Sequence, residues 1–236
     1  MPNQPAPTPQ QAPPARIALI HATALAVEPI ASAFARHWPQ AQRMNLLDDS
    51  LSVDHAAAHG QLTPAMVQRF DDLAHYARRC GCSGILFTCS AFGAAIEAAG
   101  RSVGLPTLKP NEAMFEEALM AQSSRTSRIG LIATFEASIA PMAGELQALA
   151  RERGLAIDLR TLFVPQAMQD LAEGRATEHN RKIAEAALAL ADCNIVLLAQ
   201  FSMAAAQPDV QARLPCPVLS SPDCAVLSLK QKMPHV

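Results

Sequence analysis

The chain has 236 residues, a net charge of −2 and a composition that is 50% hydrophobic, so it is long enough for one large core or two smaller ones. It has one Trp, one Tyr and no block of basic residues, which argues against nucleic acid or an anionic membrane as a partner. No apolar run approaches the roughly 20 residues of a membrane helix. The six cysteines match no zinc motif by spacing, and Cys80 and Cys82 form only an isolated C-x-C pair.

A core of this size needs no disulfide bonds, so the cysteines fit a reducing cytoplasm, and we expect a cytoplasmic protein. Residues 1–15 are rich in Pro, Gln and Ala and lack the charged and apolar regions of a signal peptide. They predict a disordered tail.

The first half of the ordered chain alternates short apolar runs with helical patterns. Strands are predicted at 17–20, 42–46, 85–87 and 104–110, and helices at 26–37, 63–79, 91–99 and 112–120. Cys89 ends the third strand, between Thr88 and Ser90, where the N–H groups and dipole of the next helix would favour thiolate over thiol. Cys89 is therefore a candidate catalytic residue; the alternative is a structural cysteine with N-capping neighbours.

The second half repeats the first. Strands are predicted at 128–132, 157–164, 194–198 and 216–219, and helices at 137–153, 177–191 and 222–230. Arg128–Ile132 repeats Arg16–Ile20 at a displacement of 112 residues, and Cys216–Leu219 corresponds to Leu105–Leu108 at a displacement of 111 residues. The displacement of 111 aligns Gln200 with Cys89.

The duplication predicts an α/β fold of two pseudo-two-fold-related, Rossmann-like lobes with parallel sheets and a site in the cleft between them. The expected divisions are a first lobe at 16–122, a second lobe at 123–221 and a C-terminal tail at 231–236. The closing helix at 222–230 could pack with the first lobe.

Polar residues follow the apolar strands at the carboxyl ends, where open α/β sheets bind ligands. Such residues also cap helices, so each turn alone has a structural explanation. His55 and His59 would share a helix face, but no further ligand is suitably spaced, so we predict a solvated loop or helix without a metal. The candidate substrate-binding residues are His21, Thr23, Asp49, Thr88, Ser90, Thr134, His179 and Ser202.

The duplicated halves, the strand-end Thr88-Cys89-Ser90 and the matching Gln200-Phe201-Ser202-Met203 resemble the aspartate/glutamate/hydantoin racemase superfamily over about residues 16–230. That superfamily also contains maleate isomerase and arylmalonate decarboxylase. The resemblance implies proton transfer alpha to a carboxylate by one cysteine from each half, without metal or organic cofactor. It implies a small carboxylic acid or cyclic amide as substrate, while the apolar composition favours a homodimer.

Cys89 matches the first cysteine of this pattern, and Gln200 stands at the second. Gln200 cannot act as an acid or base, although its amide can hydrogen-bond a carboxylate. Three functions therefore stay open: a racemase or isomerase that uses Cys89, with His21 or His179 as a possible second proton carrier; a single-cysteine decarboxylase; and an inactive carboxylate-binding protein.

Overall fold

The structure is a computed structural model that describes residues 14–121 and 126–233. The predicted lobe boundary at 122/123, most of the predicted N-terminal tail and half of the predicted C-terminal tail lie outside these ranges. The inner ends of the tails are ordered, because Ala15 and Met233 are buried in the core of the first lobe.

Each half forms a four-stranded parallel sheet, and both sheets have the same strand order, which confirms the predicted duplicated α/β fold. The strands are β1 (Arg16–His21), β2 (Gln42–Leu47), β3 (Gly84–Phe87), β4 (Thr107–Leu108), β5 (Thr126–Ala133), β6 (Ala156–Phe163), β7 (Ile195–Leu198) and β8 (Val218–Ser220). In the first half the order is β2-β1-β3-β4, and in the second it is β6-β5-β7-β8. The central strands β3 and β7 are buried along their whole length, as strands covered on both faces must be.

The helices cover both faces of the sheets. They are α1 (Val27–His37), α2 (Ser50–Ala57), α3 (Pro64–Arg79), α4 (Gly93–Val103), α5 (Glu112–Met120), α6 (Ile139–Glu152), α7 (Ala167–Ala172), α8 (Ala176–Ala186), α9 (Gln207–Gln211) and α10 (Ser221–Gln231). The sequence predicts neither α7 nor α9, and for the region of α2 it leaves a loop or a helix open.

The helix after Cys89 begins later than its sequence predicts. A 3₁₀ turn, Ser90–Phe92, lies between Cys89 and α4, and a longer one, Phe201–Ala206, follows Gln200. Cys89 is therefore the residue before a 3₁₀ turn and does not lie in the first turn of an α-helix. Strand β4 is also shorter than predicted, because Pro106 and Pro110 have no N–H to donate to a sheet.

The histidine pair His55 and His59 does not lie on one helix face. Helix α2 ends at Ala57, and His59 has a positive φ of 52° in the turn that follows. Among the described residues, no group of three or more His, Cys, Asp or Glu side chains could hold a metal ion.

The two halves exchange helices. Helix α5 comes from the first half of the chain, yet Met114 and Phe115 are buried against the second sheet with Leu131 and Leu197. Conversely, α10 follows the second sheet and packs on the first, where Val226 and Leu229 share a core with strand β1. Each half therefore completes the core of the other.

Two further contacts join the halves beside the exchanged helices. Phe201, in the turn after β7, is 3% exposed and lies in the core of the first half with Ile30 and Phe34. At the starts of α5 and α10, the buried Ser221 Oγ donates a hydrogen bond of 2.6 Å to Asn111 Oδ1. The turn that carries Gln200 is thus fixed to both lobes.

Candidate active site

Cys89 lies at the carboxyl end of β3, in the middle of the first sheet, and is partly exposed. Its thiol borders a narrow space that is too tight for a water molecule. Mostly apolar side chains line that space, together with the imidazole of His21; the lining residues are Ile20, His21, Ala22, Leu51, Phe70, Phe87 and Cys89. One side of the thiol therefore contacts hydrocarbon.

This surrounding hydrocarbon decides the ionisation of Cys89. Burial raises the pKa of the Cys89 thiol, and a hydrogen bond from the backbone N–H of Ala91 lowers it by less. The expected stabilisation of a thiolate by backbone N–H groups is present, but desolvation of the charge outweighs it. The sequence-based expectation of a thiolate was wrong in its net direction: the structure favours the protonated thiol.

A measurement of alkylation against pH checks this direction. We expect the rate at which iodoacetamide modifies Cys89 to rise with an apparent pKa above the ordinary value of about 8.5, because only the thiolate attacks. Label incorporated at Cys89 is followed by peptide mass spectrometry, with Cys89→Ser as the blank. An apparent pKa below the ordinary value would contradict the dominance of burial.

His21 and Thr88 form a buried pair beside Cys89. The His21 ring is fully buried, and its Nδ1 lies 2.9 Å from Thr88 Oγ1 while its Nε2 lies 3.0 Å from Asn45 Oδ1. Burial lowers the pKa of His21, and the hydrogen bond to Asn45, which favours the charged ring, offsets only part of this effect. A neutral ring with Nε2–H donating to Asn45 and Nδ1 accepting from Thr88 satisfies all of these contacts.

The second half has the corresponding link between its first and third strands. Gln200 Oε1 accepts hydrogen bonds from Thr134 N at 2.9 Å and Thr134 Oγ1 at 3.2 Å, and Gln200 Nε2 donates to Ser138 Oγ at 2.9 Å. Thr134 is buried, whereas Gln200 is partly exposed. The amide of Gln200 is thus oriented from both ends.

His179 lies behind this turn. It is fully buried on α8, its Nδ1 lies 2.8 Å from Asn180 Oδ1, and its Nε2 has no partner within the described part of the chain. Asn180 Nδ2 in turn donates to the carbonyl of Ala205, which connects α8 to the turn after Gln200. Burial lowers the pKa of His179, while Asn180 and Asp170 raise it by less.

The other predicted site residues sit in the strand-end turns. Thr23 accepts a hydrogen bond from Leu25 N and so caps a 3₁₀ turn. Ser90 and Ser202 are partly exposed and Asp49 is exposed. Among the hydrogen bonds of residues 14–121 and 126–233, none joins any of these four residues to Cys89 or Gln200.

Sequence reasoning missed three polar residues that contact side chains near the strand ends. Asn45 and Ser138 orient His21 and Gln200, and nothing in their spacing signals those contacts. Arg69, on α3, donates to both Asp48 and Asp54, so its charge is neutralised at the carboxyl end of β2. Partial burial opposes ionisation of Asp48, but hydrogen bonds from Ser50 and Arg69 outweigh it and hold the Asp48 pKa below its ordinary value.

The buried histidines predict a pH dependence of stability. Because the folded-state pKa values of His21 and His179 are lowered, the unfolded chain binds more protons below about pH 6.5. The free energy of unfolding should therefore fall as the pH is lowered from about 7.5 to 5.5. Urea unfolding at several pH values measures it, and His21→Gln and His179→Gln should each flatten the slope.

The exposed His59 provides the control for that series. His59→Asn removes an exposed histidine and keeps a residue that tolerates positive φ, so both buried histidines and the slope that they set are retained. A wild-type stability that stays constant or increases towards pH 5.5 would refute the prediction.

Comparison with known proteins supplies the family. The model of the Asp/Glu/hydantoin racemase family matches residues 17–229, which is nearly all of the chain that the structure describes. The chain belongs to this family. No curated protein matches it.

Solved structures of two racemases and a decarboxylase share the fold. Glutamate racemase isoform RacE1 from Bacillus anthracis is 15% identical, with a TM-score of 0.69 over 95% of this chain and 83% of that one. Allantoin racemase from Klebsiella pneumoniae is 16% identical, with a TM-score of 0.68 over 93% and 88%. Unliganded arylmalonate decarboxylase is 19% identical, with a TM-score of 0.59 over 92% of each chain. No described helix of this racemase-family chain is long and apolar enough to cross a membrane.

Proposed function

We propose that this protein is a cofactor-independent racemase or isomerase of a small carboxylic acid or a related cyclic amide. Cys89 transfers a proton to or from the carbon alpha to the carboxylate or carbonyl. The observation that carries the proposal is the position of Cys89 at the carboxyl end of a central strand, before a turn whose Ala91 N–H contacts its sulfur. Family membership makes carbon-acid chemistry the first expectation for a cysteine in that position.

The strand-end turns supply the donors for the substrate. Ser90 and Ser202 are partly exposed hydroxyls at equivalent ends of the two sheets, and the first backbone N–H groups of a 3₁₀ turn have no partner within the turn itself. Such donors bind a carboxylate and stabilise the enediolate that forms when the alpha carbon loses its proton. Thr88 and Thr134 are 5% exposed and already bonded, so they position Cys89 and Gln200 from behind.

A single-cysteine decarboxylase is the second candidate, and two observations favour it. Gln200 offers no proton opposite Cys89, and the raised pKa of Cys89 keeps the thiol protonated at neutral pH. In this reaction the bond between the alpha carbon and one carboxylate of a malonate breaks, and that carboxylate leaves as carbon dioxide. The electron pair stays on the enediolate, Cys89 S–H protonates the alpha carbon, and water then returns a proton to the thiolate.

Reactions in heavy water separate the two candidates. Enantiopure 2-substituted acids, amino acids, hydantoins and malonates are incubated with the enzyme, and products are analysed by NMR and chiral chromatography. Deuterium at the alpha carbon with loss of optical purity supports the racemase. Release of carbon dioxide with deuterium on one face supports the decarboxylase. Tight binding of an acid without exchange or decarboxylation would instead identify an inactive binding protein.

The Gln200→Cys variant tests the role assigned to Gln200. A thiol at this position supplies a proton carrier in the second half, so deuterium from the solvent should enter on both faces of the alpha carbon. Gln200→Asn, which keeps an amide without an acid, is the matched control. If the product of Gln200→Cys kept the configuration of the wild-type product, residue 200 would not lie on the side of the substrate opposite Cys89.

A further inference from the structure

An open cavity lies at the amino ends of strands β1 and β2, at the opposite end of the first sheet from Cys89. Its volume is about 540 Å³, which is within the range of pockets that hold small molecules. The residues that line it are Arg16, Ala41, Gln42, Arg43 and Met44. A ligand bound here would therefore be remote from the proposed active site.

The two arginines of this cavity form no ion pair within the described part of the chain. Arg16 donates from Nη1 to the Cys80 carbonyl at 2.8 Å and from Nε to Gln42 Oε1 at 3.3 Å. Arg43 donates from Nη1 to the Ala31 carbonyl at 2.8 Å. Since a guanidinium has five N–H donors, these contacts hold both groups but leave donors and two positive charges for a ligand.

The second half of the chain neutralises the corresponding arginine. Arg128, which repeats Arg16, forms ion pairs with Asp158 at 2.9 Å and with Asp192 at 2.7 Å. Asp158 lies opposite Arg128 on strand β6, as Gln42 lies opposite Arg16 on strand β2. The first half therefore has an uncharged amide where the second half has a carboxylate.

The second carboxylate is also missing from the first half. In each half, Nη1 of the arginine donates to a carbonyl that precedes the third strand; this carbonyl belongs to Cys80 in the first half and to Asp192 in the second. Asp192 also accepts from Arg128 through its carboxylate, whereas Cys80 has none. Because the backbone contact is the same in both halves, the unpaired charge of Arg16 is not a requirement of the fold.

We propose that Arg16, Gln42 and Arg43 form a binding site for a phosphate group, either free phosphate or the phosphate of a small phosphorylated molecule. A phosphate monoester carries a charge of about −1.5 to −2 at pH 7 and has three oxygens that accept hydrogen bonds. These properties match two guanidinium groups, which pair readily with phosphate, and the amide N–H groups of Gln42. Ala41 and Met44 provide apolar contacts for an organic part.

Titration of the full chain with phosphates tests the site. Inorganic phosphate, ribose 5-phosphate and ribose are each added to the protein in a phosphate-free buffer, and binding is measured by isothermal titration calorimetry. We expect one equivalent of each phosphate to bind and ribose not to bind. Tighter binding of ribose 5-phosphate assigns the site to a phosphorylated molecule, and equal binding assigns it to free phosphate.

A carboxylate at position 42 should block the site without removing an arginine. Gln42→Glu gives Arg16 the ion pair that its counterpart in the second half already has, so phosphate binding should weaken at least tenfold. Gln61→Glu makes the same change of charge at another exposed position and should bind as the wild type does. Arg43→Gln should weaken binding about tenfold, whereas Arg213→Gln, which removes an exposed arginine of the second half, should not.

The proposal is overturned if neither phosphate binds, or if Gln42→Glu or Arg43→Gln binds phosphate as the wild type does. The latter result would place the phosphate elsewhere on the protein, such as at the carboxyl ends of the strands. Ribose bound as tightly as ribose 5-phosphate would also be incompatible with recognition of a phosphate group.

Discussion

Cys89→Ser is expected to lower kcat by a factor of about 10²–10⁴ on any substrate that the wild-type protein turns over. Serine keeps the volume of the side chain and can still accept the Ala91 N–H, but its hydroxyl is too weak an acid to exchange protons with carbon. The KM should change little, because the donors proposed for the carboxylate lie in the backbone and in Ser90 and Ser202. Steady-state kinetics and solvent deuterium exchange measure the two effects.

Cys216→Ala is the matched control for the loss of Cys89. Cys216 is buried in the core of the second lobe, before the start of β8 and away from the carboxyl ends of the strands. Its removal should leave kcat within about twofold of the wild type, since it only shortens a small core side chain. Full turnover in Cys89→Ser would eliminate every function proposed for this cysteine except binding.

Phe201→Ala should reduce the free energy of unfolding by about 3–5 kcal/mol, the usual cost of removing a buried aromatic ring. Phe201 is 3% exposed and lies among first-lobe side chains, although it belongs to the turn after β7. Its loss leaves a cavity at the contact between the lobes and frees the turn that orients Gln200. Urea unfolding followed by circular dichroism gives the change in stability.

Phe135 offers a control of the same residue type. It is 51% exposed in the turn after β5, so Phe135→Ala should alter the free energy of unfolding by no more than about 0.5 kcal/mol. If the two variants lost equal stability, the packing of Phe201 across the lobes would not contribute as described.

The repeating architecture could be predicted because it depends on local patterns. Apolar runs such as Ile85–Phe87 give buried strands, and the match of Arg128–Ile132 to Arg16–Ile20 indicates a second copy of the same sheet. Helix α5, predicted at 112–120, has those bounds in the structure because Pro110 and Asn111 separate it clearly from β4. Periodicity and chain breakers are sufficient for such features.

The details of the candidate site depend on contacts between distant residues. The 3₁₀ turns after Cys89 and Gln200 have the same composition as a helix start, so propensity does not distinguish them. Asn45, on β2, contacts His21 on the neighbouring strand β1, and Ser138 contacts Gln200 from another turn. Burial sets the net pKa direction of Cys89, and only the tertiary structure reveals that Leu51, Phe70 and Phe87 line the space beside it.

The exchange of α5 and α10 has a consequence for the order in which the protein matures. A ribosome makes α10 after every other described element, so until then the face of the first sheet that α10 covers is open to solvent. The first lobe therefore cannot close during synthesis as an N-terminal domain ordinarily does. The nascent chain has to keep that exposed hydrocarbon from aggregating until residues 221–231 leave the exit tunnel, which makes late translation the stage at which chaperones matter most.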